Sequence, residues 1–336
     1  MTNRPLLSIC IPTYNRAGFL RECLASVQTQ GAEGLFEVVV SDNASTDDTL
    51  SVLEEFSTLL PLRWTIQDQN LGPDRNFDAV VAFARGEYCW LLGSDDVAES
   101  GAVPKLLAGL RAAGADIFHF GYVQTDIALE RLHRAHPPAG RVDTSADGLA
   151  AYLGGMPNMS LVFTFISSFA FRRSIWMDQR EPLQRWVGTY YIQLFAMHAA
   201  LKRGATLAAT NDCLVLARGD NPNEFNAVPG RFIALDARTV SRLVDEIHEG
   251  DPRYWRALGR VFQRSYPPKA LVHVAANGGL SHLVASRAAL IKLGFAPGLL
   301  DTLSLLGRLG LLKAIKLALD LRRGVLRKIR IQGSTT

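Results

Sequence analysis

The sequence predicts an α/β fold, with a mostly parallel central sheet flanked by helices and a helical region at the C-terminal end. Three observations support this prediction. Short apolar runs alternate with amphipathic segments of helical length through the first 120 residues. Polar residues follow the C-terminal end of each early apolar run. From residue 230 onward the hydrophobic pattern is that of helices. At 336 residues, the chain can form one large domain or two ordinary ones.

The first block contains five predicted strands separated by four predicted helices. The strands are expected at 6–11, 36–40, 62–66, 87–92 and 115–120, and the helices at 17–28, 47–60, 74–84 and 102–113. Strands joined through helices of this length form parallel βαβ units, and ligands bind such sheets at the carboxyl ends of the strands.

The second block has a less regular pattern. We expect a polar loop at 131–140, a buried strand at 161–171, a helix at 187–202, a strand at 213–217 and a turn-rich segment at 218–224. The domain prediction is therefore a first domain over 1–225, with halves 1–120 and 121–225, and a helical region over 226–336.

Positive charge is concentrated in the tail. The chain carries a net charge of +4, but residues 301–336 contain eight Lys or Arg and two Asp, so the other 300 residues sum to −2. This distribution argues against a nucleic-acid partner and for a local anionic one. Six charged residues recur at helical spacing: Lys313, Lys316, Asp320, Arg323, Arg327 and Arg330. We expect residues 311–330 to form a basic amphipathic helix on an anionic membrane surface; the alternative is a helix packed on the protein with a solvated basic face.

The cysteines and the apolar segments indicate where in the cell the protein is located. Four cysteines occur without a CxxC pair or zinc spacing, which favours a reducing, cytoplasmic location. Residues 1–12 lack the pattern of a signal peptide. The uncharged stretch 148–171 is interrupted by glycines and a proline, so we do not expect it to span a membrane. One apolar run contains His119, which we expect to be a core histidine.

The ends of the first four strands supply a candidate site. Polar or turn-forming residues follow each of them: Pro12, Thr13, Tyr14, Asn15 and Arg16; Ser41, Asp42 and Asn43; Gln69, Asn70 and Gly72; and Ser94, Asp95 and Asp96. Two adjacent carboxylates repel each other, so a cation, a helix N-terminus or water should compensate Asp95 and Asp96.

Three segments carry a family resemblance. They read SICIPTYNRA at 8–17, VVVSDNASTDDT at 38–49 and QNLGPDRNFDAVVAFARGEYCWLLGSDD at 69–96. In order and spacing they resemble the family 2 glycosyltransferases, which have the Rossmann-like GT-A fold. The later FTFISSFAFRRSIW and VGTYYIQL are similar to bacterial abequosyltransferase-like enzymes, which add a deoxysugar to a lipid-linked polysaccharide precursor.

The resemblance implies roles for the strand ends. Residues 1–120 would bind a nucleotide-diphosphate sugar, with CDP, UDP or dTDP as the nucleotide, and 121–225 would receive the acceptor. Asp42 would contact the base. The other donor-binding candidates are Pro12, Thr13, Tyr14, Asn15, Arg16, Asn43, Asn70, Asn76, Ser94 and Asp95. Asp95 and Asp96 would hold Mg²⁺ or Mn²⁺ on the diphosphate.

The chain departs from the family pattern at two places. Gly93 stands where the first Asp of the family's Asp-x-Asp motif is expected. The segment 186–191, where the family usually carries its catalytic base, has no carboxylate. Candidate replacements for the base are Asp178, Glu181, Asp220 and Glu224. We favour Asp220 and Glu224 because a turn-rich loop can reach a cleft.

The sequence thus predicts an inverting glycosyltransferase that acts on a lipid-linked saccharide in bacterial polysaccharide or O-antigen synthesis, as a peripheral protein on the inner face of the membrane. Two alternatives are weighed against it. A sugar nucleotidylyltransferase would carry a Gly-rich, Arg-containing loop after strand one, and PTYNRAG is not such a loop. A nucleotide-sugar-binding or scaffold protein without turnover would explain the missing acid. The chain lacks GxGxxG and GxxxxGK[ST], which argues against a dinucleotide-dependent oxidoreductase or a P-loop enzyme.

Overall fold

A computed structural model describes residues 4–31, 34–219 and 228–317. The described residues fall into two compact units divided near residue 221, and the short segment Glu246–Glu249 belongs to the first unit.

A mixed sheet with helices around it forms the first unit. The described strands are β1 (Leu7–Thr13), β2 (Phe36–Asp42), β3 (Leu62–Ile66), β4 (Tyr88–Leu91), β5 (Val97–Ala98), β6 (Ile117–Thr125), β7 (Arg131–Ala135), β8 (Gly140–Val142), β9 (Phe169–Arg172) and β10 (Leu207–Arg218). Their order is β3-β2-β1-β4-β9-β6-β10-β5, with β7 on β6 and β8 on β10. The strands β3, β2, β1 and β4 pair in parallel, as do β6 and β10, so the predicted α/β fold with a largely parallel sheet is confirmed.

Eight helices accompany this sheet in the described residues. They are α1 (Ala17–Gln28), α2 (Thr49–Ser57), α3 (Pro73–Phe83), α4 (Ala102–Ala113), α5 (Ala146–Gly154), α6 (Arg173–Met177), α7 (Arg180–Leu183) and α8 (Ile192–Lys202). Every residue of β1 and β2 is buried, which explains their nearly continuous apolar sequences. In α1, Leu20, Leu24 and Val27 are buried at helical spacing, so one face of the helix lies in the core.

The start of α3 brings polar residues to the sheet edge. Gly72 has φ +79°, a conformation that glycine adopts without strain, and Pro73 follows at the first helical position. The turn that begins there buries Asp74 and Asn76. Their contacts are described with the site.

The structure corrects four expected elements in the second block. The strand predicted at 161–171 is wrong: two 3₁₀ helices, Met159–Val162 and Ile166–Ser168, precede β9. The segment 131–140 contains β7 rather than a loop throughout. The helix predicted from 187 begins at Ile192, and the strand predicted at 213–217 is the end of the longer β10. An uncharged run without clear periodicity does not distinguish a strand from short helical turns.

The second unit is helical in its described part. It contains α9 (Arg231–Glu246), α10 (Pro252–Ser265), α11 (Pro268–Val274), a kink at Ala275–Gly279, α12 (Leu280–Ala285), α13 (Arg287–Lys292) and α14 (Pro297–Arg308). Leu243, Leu258 and Phe262 are buried in its core. Of the predicted basic stripe, Lys313 and Lys316 are described and exposed, whereas Asp320, Arg323, Arg327 and Arg330 lie outside the described residues. The described helices are all too short or too polar to cross a bilayer.

Candidate active site at the carboxyl edge of the sheet

The ends of β1 and β2 lie side by side. Thr13 pairs with Asp42 in the parallel register, and the Asn43 backbone N–H donates to the Thr13 carbonyl at 3.0 Å. Asn76 Nδ2 donates to the Thr13 carbonyl at 3.3 Å and to the Ser41 carbonyl at 3.1 Å. Asn76 therefore ties α3 to both strand ends.

The loops that follow β1 and β2 are joined to each other. The Asn15 N–H donates to Ser45 Oγ at 2.8 Å, and the Thr46 N–H donates to Asn15 Oδ1 at 2.7 Å. Asp42 accepts from the Ser45 N–H at 3.1 Å. Asn15 and Ala44 have φ of +50° and +64°, and such strained backbone is concentrated at functional sites. Pro12, which precedes this loop, is buried. The Tyr14 side chain is exposed, so it is accessible to a flat ligand such as a nucleobase.

The end of β3 is linked to the same edge. Asn43 Nδ2 donates to Asn70 Oδ1 at 2.8 Å, and the Leu71 N–H donates to Asn43 Oδ1 at 2.9 Å. Within the described part of the chain, Thr13 Oγ1 and Asn76 Oδ1 are buried polar atoms without a hydrogen-bond partner. Each unpaired buried polar atom costs stability.

The two acids after β4 have different surroundings. Asp95 is half-buried, and its carboxylate forms an ion pair with the Arg16 guanidinium. Asp96 is buried, accepts a hydrogen bond from Ser167 Oγ at 2.6 Å and another from the Arg218 N–H at 3.2 Å. Burial and, next, the neighbouring Asp95 carboxylate raise the pKa of Asp96 to about 8. Asp95 is thus the more accessible acid of the pair, while Asp96 is held inside the protein by its hydrogen bonds. Ser94 is buried beside them.

Gly93 makes room for this pair. A Cβ at Gly93 would lie 2.8 Å from Asp96 Oδ2 and 3.1 Å from Asp95 Oδ1, closer than ordinary contacts. Its N–H donates to Ser167 Oγ at 2.9 Å, and that hydroxyl binds Asp96. The glycine that replaces the expected acid is therefore part of the packing of the two carboxylates.

Sequence reasoning missed Arg218, the last residue of β10. Its side chain is buried, and its Nε donates to the Asp95 carbonyl at 2.9 Å. Its guanidinium pairs with Glu22 and lies over the Phe19 ring, with the guanidinium carbon 5.0 Å from the ring centroid. Arg218 thereby fixes the backbone of the acid pair. Its position between a strand and a turn-rich segment was the one available sequence signal.

The segment expected to carry a catalytic base instead surrounds an acid from α3. Both carboxylate oxygens of Asp74 accept backbone N–H groups, from Gly188 at 2.7 Å, Tyr190 at 2.9 Å and Ile192 at 3.1 Å. Asp178 and Glu181 are exposed. The favoured base candidates, Asp220 and Glu224, lie outside the described residues.

The carboxylate oxygens at this edge suit a cation that also binds oxygens of a bound ligand. Among the described residues, no group of three or more His, Cys, Asp or Glu side chains could hold a metal ion alone. Mg²⁺ is commonly bound by one or two carboxylates together with substrate phosphates. Asp95 can supply such a carboxylate, provided that a bound diphosphate supplies further oxygens.

Sequence comparisons identify related proteins. The model for Glycosyl transferase family 2 matches residues 8–178. The abequosyltransferase RfbV of Salmonella typhimurium is 31% identical over 272 residues, which cover 78% of this chain and 81% of that protein. The GalNAc(5)-diNAcBac-PP-undecaprenol beta-1,3-glucosyltransferase of Campylobacter jejuni is 34% identical over 116 residues, 34% of this chain and 37% of that protein.

Solved structures share the fold. Residues 1–349 of S. aureus TarS in complex with UDP-GlcNAc align with a TM-score of 0.54 at 18% identity, covering 90% of this chain and 92% of that one. The mannosyltransferase PcManGT of Pyrobaculum calidifontis, in complex with GDP-Man and Mn²⁺, aligns with a TM-score of 0.55 at 18% identity, covering 93% and 82%. At this identity the likeness concerns the fold.

Proposed function

This chain belongs to glycosyl transferase family 2, and we propose that it moves a sugar from a nucleotide-diphosphate sugar to a hydroxyl of a saccharide acceptor, with inversion at the anomeric carbon. The observation that carries this proposal is the convergence of Asp42, Asn76, Arg16 and Asp95 on one edge of the sheet. Ligands of open α/β sheets bind at this edge.

Donor binding is assigned to the joined loops. Asp42 contacts the base, the exposed Tyr14 ring lies beside it, and residues 12–16 with Asn43 and Asn70 surround the nucleoside. Asn76 holds the two strand ends at their spacing. Ser94 and Asp95 contact the diphosphate end. The donor is a CDP-, UDP- or dTDP-sugar, and residues 1–120 form the donor half, while 121–225 form the acceptor half.

A divalent cation, Mg²⁺ or Mn²⁺, would be held by Asp95 and the donor diphosphate. When bound, it supplies positive charge to the leaving diphosphate. Asp96 is buried, and its two oxygens already accept hydrogen bonds from Ser167 and Arg218, which favours the more accessible Asp95 as the metal ligand. Arg16, already in contact with Asp95, contributes a second positive charge at the same place.

Inversion by direct displacement needs a base for the acceptor hydroxyl. The proton passes from that hydroxyl to the base as the oxygen attacks the anomeric carbon and the diphosphate leaves. Asp220 and Glu224 remain the proposed bases. They follow closely on Arg218, whose side chain binds the Asp95 carbonyl, and this proximity in the chain supports their assignment.

We further propose that the acceptor is lipid-linked and that the enzyme works in bacterial polysaccharide or O-antigen synthesis. Two comparisons support this: the 31% identity to an abequosyltransferase, and the undecaprenol-linked acceptor in the name of the Campylobacter jejuni relative. The protein would then act as a peripheral protein on the cytoplasmic face of the membrane. Exposed Lys313 and Lys316 begin the basic stripe that would meet anionic lipids.

Thermal melting with nucleotides tests the donor site. Wild type and Asp95→Ala are melted with CDP, UDP, dTDP or GDP, each with and without Mn²⁺. A nucleotide at 100 times its Kd stabilises the fold by about 2.7 kcal/mol. We expect one nucleotide to raise the melting temperature of wild type mainly with Mn²⁺, and Asp95→Ala to lose that metal-dependent part. If no nucleotide changed the melting temperature, the proposal would lose its basis. If a nucleotide bound but the protein released no nucleotide from the matching sugar donor, a non-catalytic binding protein would be favoured.

A further inference from the structure

Two buried carboxylates stand four residues apart on α3 and bind the segment 173–192. Asp78 accepts a hydrogen bond from Trp176 Nε1 at 3.0 Å and pairs with Arg180, whose Nε lies 2.8 Å from Asp78 Oδ2. Asp74 binds the next part of the segment, at residues 188–192. Residues four apart share a helix face, so one side of α3 makes both attachments.

The two attachments differ in kind. Asp78 meets side chains, whereas Asp74 accepts three backbone N–H groups and so fixes the path of the chain itself. Burial raises the pKa of Asp74, and the same three N–H groups act against that rise. A buried carboxylate is costly unless it is hydrogen-bonded. This arrangement therefore holds residues 188–192 in one conformation.

That conformation is strained at Tyr190. Its φ is +65°, a value that bulky residues adopt rarely, although Gly188 two residues earlier adopts φ +91° at little cost. The neighbouring aromatic residues Trp186 and Tyr191 are buried, while Tyr190 is half-exposed. Strained backbone persists where the surrounding structure enforces it and is concentrated at functional sites.

The same helical turn reaches the donor edge. The Gly72 carbonyl, just before α3, accepts from Asn43 Nδ2 at 3.4 Å, and Asn76 binds the ends of β1 and β2. Asp74 lies between Gly72 and Asn76. One turn of α3 therefore connects the end of the sheet to the strained Tyr190.

We propose that Asp74 is a positioning residue for sugar transfer: its carboxylate sets the backbone of 188–192 so that the Tyr190 side chain contacts the sugar acceptor. This inference rests on the proposed function. It gives a role to a segment that has no acid of its own, because an aromatic ring with a hydroxyl can bind a sugar by both apolar contact and hydrogen bonding.

Kinetics of Asp74→Asn and Tyr190→Phe test the acceptor role, with Asp78→Asn as the matched control on the same helix face. The donor is the nucleotide sugar whose nucleotide raises the melting temperature of wild type. The acceptors are the octyl glycosides of glucose, galactose, mannose and rhamnose. We expect both test variants to raise KM for the octyl glycoside at least tenfold. Nucleotide Kd and the rate of donor hydrolysis by water should stay within threefold of wild type. Asp78→Asn should lower the melting temperature while KM stays unchanged.

Replacement of Tyr190 by glycine removes both the strained side chain and the aromatic ring. Tyr190→Gly should raise the melting temperature and abolish transfer, because glycine adopts φ +65° freely but has no ring. Glu249→Gly is the control, since Glu249 has φ +54° and an exposed ion pair with Lys202. It should not change transfer. Transfer by Tyr190→Gly at the wild-type rate would overturn the proposal, because the ring would then not be needed to bind the acceptor.

The outcomes separate the two proposals. A wild-type protein that neither binds nucleotide nor hydrolyses donor would refute the proposed function. A wild type that does both, with Asp74→Asn and Tyr190→Phe equal to Asp78→Asn in KM, would refute only the positioning role.

Discussion

The carboxylate of Asp95 forms an ion pair with the guanidinium of Arg16, which lies 79 residues earlier in the chain and follows a different strand. The acid that we assign to the metal is therefore already neutralised by a residue of the first loop. A divalent cation and Arg16 compete for the same carboxylate.

Removal of the Arg16 side chain should change the affinities of the protein for Mn²⁺ and for nucleotide in opposite directions. In Arg16→Gln, Mn²⁺ should bind in the presence of nucleotide several-fold more tightly, because half-exposed ion pairs contribute up to about 1 kcal/mol. Nucleotide binding without metal should weaken, because a positive charge near the diphosphate is lost. Isothermal titration calorimetry measures both. Arg21→Gln, which removes an exposed arginine from α1, the helix that follows Arg16, should change neither. Weaker Mn²⁺ binding in Arg16→Gln would contradict the competition.

Stability should depend on pH through Asp96. Its folded-state pKa of about 8 exceeds the value near 3.9 of an unfolded Asp. Folding favours protonated Asp96, so the contribution of Asp96 to the free energy of unfolding is fully present below about pH 4. This contribution is lost as the pH rises through 8. The free energy of unfolding should fall by at most about 1.4 kcal/mol per pH unit in this window. Urea denaturation from pH 5 to 9 in EDTA measures the slope.

Asp96→Asn should lack this part of the slope and be at least as stable as wild type at pH 9. Asp95→Asn, the matched variant at the half-exposed acid, should keep a slope from the burial of Asp96, but its window should end at a lower pH because the neighbouring carboxylate is gone. It should also lose the metal-dependent binding of nucleotide. Equal slopes in wild type and Asp96→Asn would show that Asp96 does not titrate in this range.

A methyl group at Gly93 should disturb both carboxylates. In Gly93→Ala the new Cβ approaches Asp96 Oδ2 and Asp95 Oδ1, so these side chains must move. Crowding of a packed site costs about 1–3 kcal/mol, and Mn²⁺ affinity should fall as well. Urea denaturation and calorimetry measure the two effects. Gly18→Ala is the control, because no atom lies within 4 Å of its added Cβ, and it should be neutral or slightly stabilising. If Gly93→Ala matched that control, the packing role of Gly93 would be wrong.

A second pH effect of opposite sign should come from His119. The residue is buried as expected, and its Nδ1 lies 2.9 Å from Tyr152 Oη. Burial lowers the pKa of His119 to about 3, below the unfolded value near 6.5. Stability should therefore decrease as the pH falls from about 6.5 towards 3, again by at most about 1.4 kcal/mol per unit.

Two variants isolate that effect. The double variant His119→Phe with Tyr152→Phe is compared with Tyr152→Phe alone, so that no tyrosine hydroxyl is left unpaired. Urea denaturation from pH 4.5 to 7 should give a smaller acid loss in the double variant. The same loss in both would assign the acid sensitivity to other groups.

The first half of the fold was predictable because its evidence is local. Strand and helix periods alternate through residues 6–113, and parallel strands necessarily bring Thr13 and Asp42 to one edge. The uncharged stretch before β9 has no such period, so its short 3₁₀ turns were not foreseen. The bonds of Asp74 to Tyr190 and of Arg218 to Asp95 join residues more than 100 positions apart. No sequence pattern encodes such contacts, and they became visible only with the fold.

The two carboxylates of α3 also limit how this protein can be recombined with its relatives. A chimera that takes the first 120 residues from another enzyme would import a foreign α3. Unless that helix carries acids at the positions of Asp74 and Asp78, the native segment 173–192 would lose both attachments. A single-residue deletion between them would turn one acid about 100° away from the other. Swaps of donor specificity should therefore exchange α3 and residues 173–192 as one cassette, even though about 90 residues of sequence separate the two pieces.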